Sequence, residues 1–373
     1  MEKPQQMIKS AAHTKQSRRK VLIYGYTRVN FGDDLFFKIL VERYPNIDFY
    51  MLAEVDYSAI IRAKNFHTIK RNRINKIFAS HIPYQFYLHR FDAIICIGGS
   101  IFMEVGTSGR NSFTRFLLKY KRSFPGVPIY IIGSNYGPER TSAFRESVKG
   151  LFTFVESVSL RDSFSYNIFK ENPRVVCAPD VIFQLAVGAK SEEQSNIVGF
   201  SLIDLPSRAQ LCEYADSYEE FVLHHIGKSI AEGKQVRLLS FCTFEGDKVA
   251  CERMVAKLDS EAQKQIEVVA YEGDIESFLN SLREVDLLYA SRFHAAILGL
   301  AMQIPTIPVV YSDKTLNVLR DLEYKGDIVD IRSIGDISQK LTTQVMEQEA
   351  IKTLQKEAQN HFNAVDEMIT RSK

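Results

Sequence analysis

Short, almost wholly apolar runs recur along the chain, each followed by a longer stretch with helical spacing. VLIYGY (Val21–Tyr26), IDFYMLA (Ile47–Ala53), FDAIICIGG (Phe91–Gly99) and VPIYIIGS (Val127–Ser134) set the rhythm in the first half. IVGFSLI (Ile197–Ile203), QVRLLSF (Gln235–Phe241), IEVVAY (Ile266–Tyr271), DLLYA (Asp286–Ala290) and TIPVVY (Thr306–Tyr311) repeat it in the second. A run of about four to seven apolar residues that does not alternate with polar ones is a strand buried on both faces. Both faces are buried when helices cover the two sides of a parallel sheet. The predicted fold class is therefore α/β, with two doubly wound, Rossmann-like domains facing a cleft. Residues 1–17 are read as a polar tail, 18–188 as the first domain, 197–345 as the second, and 346–373 as a terminal segment. The polar stretch AKSEEQSN (Ala189–Asn196) is the linker, and Met346–Met368 reads as one long helix. Helical spacing also marks Asp34–Tyr44, Ile74–His89, Ile275–Arg283 and Phe293–Met302, among others.

Composition narrows the function classes. Lys plus Arg is 47 and Asp plus Glu is 45, a net charge of +2 over 373 residues. A general nucleic-acid binder carries a strong basic excess, so that class is excluded. The five cysteines, Cys96, Cys177, Cys212, Cys242 and Cys251, form no C-x-x-C pair, and the expectation is packed, reduced thiols. The N-terminus lacks the apolar core of a secretory signal. The longest apolar region, Leu287–Tyr311, is interrupted by Arg292, His294, Gln303, Pro305 and Pro308, which argues against a membrane-spanning helix. A soluble, cytoplasmic protein is expected. The cluster Lys15, Arg18, Arg19 and Lys20 reads as a solvated end, with weak contact to the inner face of a membrane as the alternative.

Ligands of doubly wound sheets bind beyond the carboxyl ends of the strands, so the residues just after each strand carry the functional reading. Asn30, Gly32, Asp33 and Asp34 follow the first strand. A helix cap needs one carboxylate; two adjacent ones at a cleft mouth also suit sugar hydroxyls. Gly98-Gly99-Ser100 follows the fourth strand and is either a tight turn or a place of close approach. Asn135 lies in GSNYGP. Arg161, followed by Asp162 and Ser163, is an anion clamp or a surface pair. Ser291, Arg292 and His294 mark a strand-to-helix junction, and Lys314 follows the neighbouring strand. A helix N-terminus, two cations and an imidazole describe a phosphate or carboxylate site with a proton donor. Cys242 reads as packed, Glu245 or Asp247 as a cap of the next helix, and His224-His225 as surface or packing. No dinucleotide fingerprint, Walker A loop or serine-hydrolase elbow occurs.

These landmarks in this order resemble the polysaccharide pyruvyl transferase family. They are Asn30/Gly32-Asp33-Asp34, Gly98-Gly99, Asn135-Tyr136-Gly137-Pro138, Arg161-Asp162-Ser165, Pro179-Asp180, Phe241-Cys242-Glu245-Gly246-Asp247, Ser291-Arg292-His294-Ala295 and Lys314. Ser100 stands where many relatives have a third glycine. The resemblance implies a glycosyltransferase-B-like fold and phosphoenolpyruvate as co-substrate. It implies an acceptor that is a sugar or a lipid-linked oligosaccharide, and a pyruvate ketal in a surface polysaccharide as product. On that reading His294 and Arg292 are catalytic, and Arg161, Ser291 and Lys314 bind the donor. Asn30, Asp33, Asp34, Gly98, Gly99 and Asn135 face the acceptor. No metal and no cofactor are called for, because cationic side chains neutralise the donor's charge. A nucleotide-sugar-dependent glycosyltransferase and a non-catalytic glycan-binding relative are the alternatives.

Overall fold

The computed structural model describes residues 18–70, 90–104, 106, 111–186 and 195–371. The tail 1–17, the helix read over 74–89 and most of the linker read over 189–196 lie outside the described residues. The first sheet contains β1 (Arg19–Tyr24), β2 (Ile47–Ala53), β3 (Phe66–Lys70), β4 (Ala93–Ile97), β5 (Ile129–Ser134), β6 (Ser157–Leu160) and β7 (Val175–Cys177), in the order β3-β2-β1-β4-β5-β6-β7. The second contains β8 (Ile197–Ser201), β9 (Gln235–Ser240), β10 (Ile266–Ala270), β11 (Leu287–Ala290), β12 (Thr306–Val310) and β13 (Val329–Asp330), in the order β10-β9-β8-β11-β12-β13. Every pairing between these strands is parallel. Each half is thus doubly wound, with its chain direction switching beside β1 and beside β8, where such sheets open a crevice. Residues of β4, β5, β8 and β12 are buried throughout, as their unbroken apolar sequences require.

The helices start where a polar side chain satisfies a free backbone N–H. Asn30 caps Phe31–Arg43, Asn111 caps Ser112–Ser123, Asp162 caps Ser163–Phe169, and Asp274 caps Ile275–Arg283. The last of these buries Ile275, Phe278, Leu279 and Leu282, one stripe of an amphipathic helix. The terminal segment is not one helix. Helices Gln348–Ala358 and Asn363–Thr370 flank a 3₁₀ turn at Gln359–Phe362. His361 and Phe362, in this turn, are both buried against the first domain. The segment returns from the second domain to the first. Asp366 accepts from Arg43 at 2.8 Å and from the Tyr44 hydroxyl at 2.7 Å, and His361 lies 2.6 Å from the Pro179 carbonyl.

The two domains meet along one side of the cleft. Phe31 of the first packs against Phe278, Tyr271 and Phe241 of the second, at centroid distances of 4.5, 5.0 and 5.5 Å. The Phe31 N–H donates to the Phe241 carbonyl at 3.0 Å, and the Tyr271 hydroxyl donates to Asp34 at 2.8 Å. One apolar core runs continuously through this junction. The carboxyl ends of both sheets are thereby held facing each other.

Candidate active site

The facing strand ends enclose a cavity of about 710 Å³. Asn30 and Asp33 enter it from beyond β1, Gly99 and Ser100 from beyond β4, and Arg161 from beyond β6. The second domain contributes Arg208 beyond β8, Glu245 beyond β9, Arg292 and His294 beyond β11, and Tyr311 and Lys314 beyond β12. Four cationic side chains from two domains therefore converge on one space of a size usual for small-molecule sites.

Each cation is fixed by its neighbours. Arg161 donates to Asp180 at 2.9 Å and to the Asn135 side-chain oxygen at 2.7 Å, and its guanidinium lies 3.9 Å from the Phe293 ring centroid. Gly99 is glycine because of this packing: a Cβ there would lie 2.5 Å from the guanidinium. Arg292 donates to Glu245 at 2.8 Å and lies 3.4 Å from Asp247. The same Glu245 oxygen accepts from Arg208 at 3.0 Å. Lys314 donates to the Ser100 hydroxyl across the cleft at 3.1 Å. Ser100 thus supplies an oxygen for the lysine.

The charges set each other's protonation. Burial opposes the charge on Glu245, but Arg292 and Arg208 outweigh it and hold the carboxyl at about 2. Asp33 goes the other way: burial pushes its carboxyl up to about 7 and Glu245 adds to the rise, against the pull of Arg161, Arg292 and Lys314. His294 is held well below its ordinary value by desolvation and by Arg161, Lys314 and Arg292. Its Nε2 lies 3.5 Å from Arg161, and its ring meets Phe36 edge-on at 5.1 Å. Burial and these neighbours accordingly keep His294 neutral and leave Asp33 shared between its two forms near neutral pH. Burial and the nearby Arg161 and Arg292 also lower the ammonium of Lys314, with Tyr311 opposing.

Of the residues singled out from sequence, Asn30, Asp33, Gly99, Arg161, Arg292, His294 and Lys314 line the cavity. Four lie behind its wall. Asp34 is fully buried and bound to Tyr271, because adjacent helical residues point about 100° apart and only Asp33 faces the cleft. Ser291 is turned into the second domain, with its hydroxyl 2.9 Å from that of Tyr218. Asn135 acts on Arg161, and Gly98, at φ 151°, shapes the turn whose carbonyl accepts from Ser134 at 2.9 Å. The helix after β1 is capped by Asn30 rather than by either aspartate. Glu245 and Asp247 are not caps either: the helix that begins at Asp247 has no side-chain cap. His225 packs, with Nδ1 3.1 Å from the Tyr289 hydroxyl. Sequence reasoning missed Arg208, Asp180 and Glu245 as parts of the site. Position just after a strand pointed to Arg208 and Glu245, and the Pro-Asp pair pointed to Asp180.

The chain is similar to known proteins in sequence and in fold. Residues 30–313 match the family model described as polysaccharide pyruvyl transferase. The chain is 24% identical over 340 residues to the amylovoran biosynthesis protein AmsJ of Erwinia amylovora, covering 80% of each chain. In fold it is similar to Anabaena HepE, solved with UDP and glucose, at a TM-score of 0.53 and 9% identity over 95% of this chain and 98% of that one. A glycosyltransferase from Rickettsia africae matches at 0.51 and 10% identity, over 95% of this chain and 100% of that one. These structural likenesses bear on the two-domain glycosyltransferase-B-like fold alone.

Proposed function

The chain belongs to the polysaccharide pyruvyl transferase family, and from that premise we propose that its cleft transfers the enolpyruvyl group of phosphoenolpyruvate to two hydroxyls of a sugar, forming a pyruvate ketal in exopolysaccharide biosynthesis. The convergence of Arg161, Arg292 and Lys314 on one cavity beside His294 is the observation that carries the reading. Phosphoenolpyruvate is a small, highly charged anion with a phosphate and a carboxylate. Preorganised cations suit it, and they suit it best where water is largely excluded.

The reaction needs a proton at the methylene carbon of the donor, addition of two sugar oxygens at the neighbouring carbon, and departure of phosphate. We assign the first proton to His294. Burial and the neighbouring cations hold His294 neutral, and the negative charge of a bound donor beside Arg161 and Lys314 offsets the cations that depress it. The imidazole thus takes up a proton as the substrate arrives. Asp33, with its carboxyl near 7, is suited to accept the proton of the first sugar hydroxyl. The second hydroxyl then displaces phosphate, and its proton leaves on the phosphate oxygen. The product carbon bears two sugar oxygens, a carboxylate and a methyl group, so atoms and charge balance. No step calls for a metal, because Arg161, Arg292 and Lys314 neutralise the donor's charge.

The test is phosphate release from phosphoenolpyruvate in the presence of a candidate polysaccharide acceptor. His294→Ala is expected to lose transfer by about 10²–10⁴-fold, the usual weight of a positioned proton donor. Full activity in that variant overturns the assignment of the acid.

A further inference from the structure

A second cavity of about 330 Å³ adjoins the active site, and Phe244 lines both. Phe244 is 64% exposed, although it sits in the 3₁₀ turn Thr243–Glu245, whose last residue anchors Arg292 and Arg208. A large apolar ring on a rigid turn at a cleft mouth is an exposed surface that folding does not require. Opposite it, Val55 of the first domain is 44% exposed. The Arg28 guanidinium lies 4.6 Å from the Phe244 centroid and pairs with Glu54 at 3.3 Å. Tyr271 closes the groove, and its hydroxyl is already engaged by Asp34, so that wall is fixed.

This combination has a chemical match. A pyranose presents an apolar C–H face and a rim of hydroxyls. An aromatic ring covers the first, while a guanidinium–carboxylate pair donates to and accepts from the second. The groove and the reaction cavity share Phe244 as a lining residue, so an occupant of the groove lies beside the sugar that reacts. We propose that this side groove binds the sugar unit next to the one that is modified, with Phe244 as its platform and the Arg28–Glu54 pair as its polar wall. The protein accordingly recognises a glycan of two or more units rather than a free monosaccharide. This inference rests on the acceptor being a polysaccharide or its precursor, but not on the identity of the donor.

The test is therefore a binding measurement without phosphoenolpyruvate. Purified full-length protein is applied to an array of bacterial surface oligosaccharides of two to six units and their constituent monosaccharides. Wild type is expected to retain particular oligosaccharides and no monosaccharide. Phe244→Ala is expected to lose about tenfold in affinity for them, or about 1.4 kcal/mol, with an unchanged melting temperature because the ring is exposed. Phe244→Trp restores the affinity. The chain contains no tryptophan, so the indole fluorescence of the Phe244→Trp protein comes from this position alone. That signal is expected to change on addition of a retained oligosaccharide. Equal retention of monosaccharides, retention of no oligosaccharide, or undiminished binding by Phe244→Ala overturns the proposal. Length-dependent binding that depends on Phe244, in a protein that fails to use phosphoenolpyruvate, sinks the donor reading and leaves the groove standing.

Discussion

Gly32→Ala is a one-methyl change with an outcome fixed by geometry. Gly32 lies in the first turn of the helix after β1, where alanine is ordinarily favoured over glycine by about 0.5–1 kcal/mol. Here a Cβ would lie 1.8 Å from Nδ1, 2.2 Å from Cγ and 2.7 Å from Cβ of His294, which belongs to the other domain. Rotating the imidazole does not relieve this, because its own Cβ is among the clashing atoms. The ring is also hemmed in by Phe36 and Phe293, each at 5.1 Å between centroids, and by Arg161. Forcing an extra methyl into such a space costs about 1–3 kcal/mol, more than the helix gains. A catalytic group displaced by about an ångström loses on the order of 10²-fold in rate. The assay is a double-mutant cycle of Gly32→Ala with His294→Ala, read by thermal melting and by pyruvyl transfer. Alone, Gly32→Ala is expected to lower both stability and rate. In the His294→Ala background its destabilising effect is expected to shrink, because the ring atoms at 1.8 and 2.2 Å have gone and only the Cβ contact at 2.7 Å remains. The two changes then couple by about 2 kcal/mol. A Gly32→Ala protein that is stabilised equally in both backgrounds and keeps its full rate refutes the packing of His294 against Gly32.

Three further outcomes follow from the same contacts. Asp33 binds its proton more tightly folded than unfolded, at about 7 against an ordinary 3.8. The stability it contributes is therefore complete below about pH 4 and is lost as pH rises through 7; Asp33→Asn is expected to flatten that decline in melting temperature and to abolish transfer. Tyr271→Phe removes the donor to buried Asp34, and is expected to lower stability by about 1–3 kcal/mol while the KM for phosphoenolpyruvate stays within about twofold; a large change in KM contradicts a purely structural role. Arg161→Lys keeps the charge but loses the fork that grips Asp180 and Asn135, so transfer is expected to fall at least about tenfold, measured as kcat/KM for phosphoenolpyruvate.

Much of this architecture is legible in the chain because parallel strands buried on both faces leave unbroken apolar runs. Once those runs are placed, the rule that ligands sit beyond strand ends selects Asp33, Gly99, Arg161, Arg292, His294 and Lys314 with no knowledge of contacts. What stays hidden depends on orientation and on partners distant in sequence. Asp33 and Asp34 are neighbours in the same motif, yet the helical twist sends one to the cleft and the other to Tyr271. Glu245 resembles a capping carboxylate until Arg292 and Arg208 are seen to share its oxygen. Gly32 has no evident need to be glycine until His294 is placed against it. The helix Tyr57–Ile61 and the two-residue strand β13 are too short for periodicity to register. The terminal helix reads as continuous because neither Gly nor Pro marks the 3₁₀ turn at Gln359–Phe362.

The central claim is that this cleft protonates an enolpyruvyl carbon and joins its neighbour to two sugar oxygens. The most direct measurement is NMR of the product formed from phosphoenolpyruvate and a polysaccharide acceptor in deuterium oxide. The account predicts a ketal whose methyl group carries a single deuterium, with one phosphate released per ketal and both formed about 10²–10⁴-fold more slowly by His294→Ala. An unlabelled methyl group, or transfer that proceeds from a nucleotide sugar and not from phosphoenolpyruvate, contradicts it.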